Sequence, residues 1–211
     1  MRNDEHFWWT TLIRGFVALL AGSAIMVIPD LAKTSLLFPI ALSVATLGLA
    51  VFGIFDSVLV FITSYMAASR PTRLALRVQG AIGVLIGISL VWIASDYIPL
   101  SWFLILIVIQ TLSTAISEYL VARRSISASA SHWNVAAAGV ALTFCLAYTY
   151  ILLFETPRMT ARDISWLVFG YLLALGIAEC LTAARMLYSD YRLEASPAHV
   201  FPTQPGDVKQ A

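Results

Sequence analysis

The sequence predicts an all-α membrane protein, a polytopic bundle of six transmembrane helices built from three two-helix repeats. Three observations carry this prediction. Of the 211 residues, 60% are hydrophobic and only 12% charged, with a mean hydropathy of +0.84. A water-soluble domain carries roughly 25% charged residues, so this chain lacks the polar surface to cover a globule. Six stretches approach or exceed the about 20 apolar residues needed to cross about 30 Å of hydrocarbon. Finally, Gly53-Ile54-Phe55-Asp56 returns as Ala115-Ile116-Ser117-Glu118 and as Gly176-Ile177-Ala178-Glu179. The copies lie about 60 residues apart, a period that marks an internal repeat.

In chain order, residues 1–7 lead into a first span at 8–28. Its apolar run exceeds the 7–15 residues of a signal-peptide core, so it reads as a retained helix. The second span, 39–65, starts at Pro39, which a first helical turn tolerates and which disfavours helix at the residue before it. Residues 30–38 then form an outer loop. Further spans fall at 74–94, 99–121, 133–154 and 164–187. The repeats are accordingly 8–65, 74–121 and 133–187, and 188–211 is a cytoplasmic tail. That tail has little apolar content and contains Pro197, Pro202, Pro205 and Gly206, a composition expected to be disordered.

Orientation follows from the basic residues flanking the spans. Arg2, Arg14, Arg70, Arg73, Arg77, Arg123, Arg124, Arg185, Arg192 and Lys209 fall on one side, and only Lys33, Arg158 and Arg162 on the other. The positive side, with both termini, is expected to be cytoplasmic. Tryptophans prefer the interface: Trp8, Trp9 and Trp133 lie at inner ends, and Trp92, Trp102 and Trp166 at outer ends. Outer turns are short, around Pro29-Asp30, Ser95-Asp96-Tyr97 and Glu155-Thr156-Pro157. The inner links include the Ser/Ala-rich Ser125 to Ser131.

The odd helices align as well. Arg14-Gly15-Phe16-Val17-Ala18-Leu19-Leu20-Ala21-Gly22 matches Gln79-Gly80-Ala81-Ile82-Gly83-Val84-Leu85-Ile86-Gly87, and repeat three begins Ala138-Gly139-Val140-Ala141. With Trp9, Leu12, Ile13 and Pro29 around the first copy, and the Gly53-Ile54 element after it, the chain resembles the HdeD-type acid-resistance membrane proteins. These are also called short-repeat membrane proteins of unknown function. The likeness covers about residues 8–187. It implies six spans in the bacterial inner membrane and an association with acid stress, and it supplies no catalytic residues. Repeat two lacks the proline after its odd helix, and repeat three keeps little of the glycine pattern.

Small residues are candidates for helix packing: Gly15, Ala18 and Gly22 on the first helix, Gly80, Gly83 and Gly87 on the third. In lipid, helices associate through close backbone approach at such positions. Packing within one bundle and packing between copies both remain open. An inner polar belt is formed by Arg14, its counterpart Gln79 on the third helix, Asn134 at the inner start of the fifth, and the acids Asp56, Glu118 and Glu179. Ionisable groups within spans usually face the bundle interior and pair. Helical neighbours lie three or four residues apart, and no acid has a base at that spacing on its own helix. Partners are therefore sought on other helices or in interfacial water, with Arg14 the leading partner of Asp56. The belt reads as a clamp, as a vestibule for protons or small cations, or as a contact surface for another membrane protein. Against a pore, the helix centres are apolar apart from Gln110, Ser113 and Thr114.

The outer acids Asp30, Asp96 and Glu155 read as turn and cap residues; as carboxylates that neutralise in strong acid, they are also candidate acid sensors. Cys145 and Cys180 read as buried thiols. His6, His132 and His199 have no ligand spacing, and no triad, phosphate loop or nucleic-acid patch is present. The chain is read as a non-enzyme without cofactor or metal. Its expected partners are the bilayer, anionic lipid at the inner face, and a second copy or another membrane protein.

Overall fold

A computed structural model of the chain describes residues 8–31, 38–67, 69–95, 100–123, 128–155 and 160–195. Local signals set where its helices begin and end. Six run in order: α1 Trp8–Leu31, α2 Phe38–Met66, α3 Arg70–Ser95, α4 Leu100–Ala122, α5 Ala128–Tyr150 and α6 Ala161–Ala195. Ser69 caps α3: its Oγ accepts from the Thr72 amide at 3.3 Å, and Pro71 occupies the first turn, where its missing N–H costs no bond. A reciprocal box opens α6. The Thr160 amide and hydroxyl donate to Asp163 Oδ2 at 3.0 and 2.6 Å, and the Asp163 amide donates back to Thr160 Oγ1 at 3.3 Å. Ser131 Oγ donates to the Ala122 carbonyl at 2.9 Å, tying the start of α5 to the end of α4.

Several boundaries differ from the sequence expectation. Pro29 and Asp30 belong to the last turn of α1, not to a turn beyond it. A proline this close to a helix end removes only one i→i−4 bond while the apolar run continues through it. Helices α3 and α5 start four and five residues before their predicted spans, at Arg70 and Ala128. Helix α6 continues through 188–195, residues assigned to the tail; this stretch has no Gly or Pro and ends in the good helix formers Arg192, Leu193, Glu194 and Ala195, shortly before Pro197. At its far end α5 loosens into five residues of π-helix, Ile151–Glu155. Asp96 lies outside the described residues.

All six helices are long and apolar enough to cross a membrane. The shortest have 23 residues, about 35 Å at about 1.5 Å per residue, against about 30 Å of hydrocarbon. Trp92, Trp102, Trp166, Phe16, Leu85 and Leu146 are among many large apolar side chains that face outward. A surface of this kind is matched by lipid, with every helical backbone bond satisfied internally. The chain is an all-α, multi-pass integral membrane protein.

The helices follow one another around a closed ring, each packing on the next and α6 on α1. The most extensive contacts are α2 on α3, α6 on α1 and α4 on α5, which fall between the expected hairpins and not within them. Glycine explains two of these seams. A Cβ on Gly87 would stand 2.5 Å from Ile54 Cγ1 and 3.1 Å from the Ala50 carbonyl, and one on Gly83 would strike the Ser57 hydroxyl. Gly80 faces the Phe61 ring of α2. Across the other seam, a Cβ on Gly15 would lie 2.8 Å from Cys180 Sγ and 2.9 Å from both the Cys180 nitrogen and the Gly176 carbonyl. Gly22 continues that seam against Leu172 and Phe169. Close approach is what small residues permit, and dispersion is the gain where the alternative to protein contact is lipid. Gly48, Gly53 and Gly139 have open space around them.

Candidate functional site

The polar belt is a centred cluster. Six residues into α1, Arg14 turns its guanidinium into the bundle, where each nitrogen meets a carboxylate from a different helix. Nε donates to Asp56 Oδ1 of α2 at 2.8 Å, and Nη1 to Glu118 Oε1 of α4 at 3.4 Å. Nη2 lies 3.1 Å from Glu179 Oε1 of α6, outside hydrogen-bond geometry. Helix α4 is not a ring neighbour of α1, so the pair with Glu118 reaches across the middle. The planar, permanently charged fork of arginine suits this task, and lysine would present a single point instead.

The cluster is dry by exposure. The Arg14 side chain is 6% exposed, and Asp56, Glu118 and Glu179 are 14, 8 and 4%. Of the other belt residues, Gln79 and Asn134 are buried. Gln79 Nε2 donates weakly to Thr114 Oγ1 at 3.5 Å, while Gln79 Oε1 and Asn134 Nδ2 have no partner. Thr114 also hydrogen-bonds Tyr171 of α6. The structure thus brings together Arg14, Asp56, Glu118 and Glu179 directly and places Gln79 in a separate chain with Thr114 and Tyr171. It records no contact between Asn134 and the cluster. Asp30 ends up helical, and Glu155 closes the π-helical turn, half-buried.

Sequence reasoning missed Tyr171. A tyrosine in an apolar helix looks like core, and its packing beside Phe144, with ring centroids 5.5 Å apart, is core packing; only the hydroxyl, bonded to Thr114, is polar. Tyr148 also escaped notice. It is fully buried with its hydroxyl unpartnered and its ring 6.5 Å from that of Tyr171.

Toward the far end the interior becomes apolar. Ala18, Leu104, Ile107, Ile164, Val168 and Leu172 belong to one buried cluster there. Polar side chains within it mostly bond their own helix, as Thr111 Oγ1 does to the Ile107 carbonyl at 2.9 Å. Among the described residues, no group of three acids, histidines or cysteines converges as metal ligands do.

Fold and cluster together define a helical membrane protein whose interior is organised around one buried, branched ion pair. No protein-family profile, curated protein or solved structure matches the chain.

Proposed function

We propose that this is a non-enzymatic protein of the bacterial inner membrane, with both termini cytoplasmic, whose Arg14 cluster clamps the bundle. It serves acid or envelope stress tolerance through packing and partner contacts. The observation that carries the clamp is the branching of Arg14 to α2, α4 and α6 at once. An arginine paired with one neighbour fixes two helices; this one sets the rotation and depth of four. The stress role rests on the likeness to the HdeD-type proteins. The cytoplasmic assignment rests on the ten basic residues gathered at one side. Anionic lipid is the natural partner of that side, where Arg77 and Arg123 stand over the rings of Tyr65 and Tyr119 at 5.1 and 5.9 Å. A second copy or another membrane protein is the partner class for the outward faces.

A second reading, a small proton or cation conduit, is favoured by the three carboxylates at one level. The apolar layer beyond them speaks against it, since transport sites lie near the midplane among broken or polar helices. Proton and cation flux in proteoliposomes separates the readings. Wild type is compared with the folded triple variant Asp56→Asn, Glu118→Gln, Glu179→Gln. The clamp reading expects no flux above empty liposomes at neutral or acidic pH; flux abolished in the variant would overturn it.

A further inference from the structure

The charges of the cluster do not balance. Arg14 carries one positive charge, and three carboxyl groups stand within 3.4 Å of its nitrogens. Among the described residues no second lysine or arginine pairs with them. The groups offered nearby by the packed elements are Gln79 from α3, Thr114 from α4, and Tyr171 and Cys180 from α6, none of them a cation. Helix α5 contributes the neutral Asn134 at the level of the belt, and its buried titratable groups Cys145 and Tyr148, the latter with its ring 6.5 Å from that of Tyr171, are not cations either. Two uncompensated negative charges in a dry, membrane-embedded interior are not tolerated; such groups are paired or neutralised.

A second observation points the same way. Buried oxygens without a hydrogen-bond partner include Glu179 Oε1, within the cluster and held to Arg14 by charge alone, and Gln79 Oε1, whose amide nitrogen bonds Thr114; Gln110 Oε1 and the Tyr148 hydroxyl are two more. Glu179 and Gln79 are 3 and 1% exposed. This layer has acceptors in excess and lacks positive charge. Among the described residues the three acids are not gathered as a metal-ligand group, so ions of single charge, each held by one carboxyl group, are the simplest compensation.

We infer that the Arg14 cluster binds small monovalent cations, protons or alkali ions, two of which balance the three acids against Arg14, with the Glu179 carboxyl group as the principal acceptor. The inference rests on the clamp reading, because it concerns the same four side chains. It makes the clamp an arginine and two bound monovalent cations against three acids, a neutral set.

Purified full-length protein in detergent tests it with two readouts at neutral pH. Infrared spectroscopy looks for the carbonyl stretch of a protonated carboxyl group in wild type and in Glu179→Gln. Melting temperature is read in sodium or potassium chloride against N-methylglucamine chloride at equal ionic strength. A protonated-carboxyl band in wild type that is lost or reduced in the variant identifies a proton. A melting temperature that climbs with sodium or potassium, and climbs less in the variant, identifies an alkali ion. Wild type with neither signal overturns the inference. Glu118→Gln serves if Glu179→Gln does not fold. The clamp itself fails differently, through an Arg14→Gln variant as stable as wild type.

Discussion

Replacing Arg14 by glutamine is the most direct challenge to the clamp. The substitution keeps a long polar side chain but removes the charge that meets Asp56, Glu118 and Glu179 at 2.8, 3.4 and 3.1 Å. Removing one partner of a buried ion pair costs about 3–5 kcal/mol, mostly through the charge left behind. Here three acids are left behind, all within a shell no more than 14% exposed, so the upper part of that range applies. For a chain of this size each kcal/mol moves the melting temperature by about 2–4 °C, and at about 4–5 kcal/mol the expected fall is about 8–20 °C. Thermal unfolding in detergent, followed by circular dichroism, reads it. Arg14→Lys should fall in between, because a point charge reaches fewer acids than a fork. Pairing Arg14→Gln with Glu179→Gln should recover part of the loss, a coupling that only direct neighbours show. A fall below about 2 °C for Arg14→Gln is the size of a surface substitution and would refute the clamp.

Three further outcomes follow from the packing. Gly15→Ala should cost about 1–3 kcal/mol, since its new Cβ would lie 2.9 Å from two backbone atoms of α6; Gly139→Ala, with open space around it, should leave the melting temperature unchanged or slightly raised. Tyr148→Phe removes a buried hydroxyl that has no partner and should be neutral or stabilising, whereas Tyr171→Phe, which breaks the bond to Thr114, should cost about 1 kcal/mol; chemical denaturation of both variants checks the difference in sign. His199→Cys, with Cys145 and Cys180 replaced by alanine, should react with an impermeant maleimide only after the cell is opened; labelling of intact cells would reverse the proposed orientation.

Much of the architecture was legible because membrane crossing leaves strong marks. Length, apolarity and tryptophan placement locate the spans, and the Arg14–Asp56 contact follows from two polar residues at similar depth in one hairpin. That Glu118 and Glu179 share the same arginine was not legible. The sequence shows that these acids need partners but not the order of helices around the ring, and it is the closure of α6 on α1 that brings Glu179 to Arg14. Helix ends were hidden for a different reason. Arg70 and Ala128 lie outside the apolar windows, yet a Ser69 cap and an alanine-rich start are enough to begin a helix there. The π-helical turn left no signal that periodicity could read.

The closing of α6 on α1 also sets a schedule for biosynthesis. Arg14 enters the bilayer with α1, while Asp56 follows 42 residues later and Glu118 follows 104 residues later. At about 5–20 residues per second of synthesis, the wait for Glu118 alone is roughly 5–20 s. The last carboxylate arrives only with the final helix, which also supplies the surface on which Gly15 and Gly22 seat. During that interval α1 is an arginine-bearing span with one counter-charge and half its packing missing. Without α6 the chain leaves Gly15 and Gly22 of α1 without the surface they pack on and Arg14 without one of its three acids.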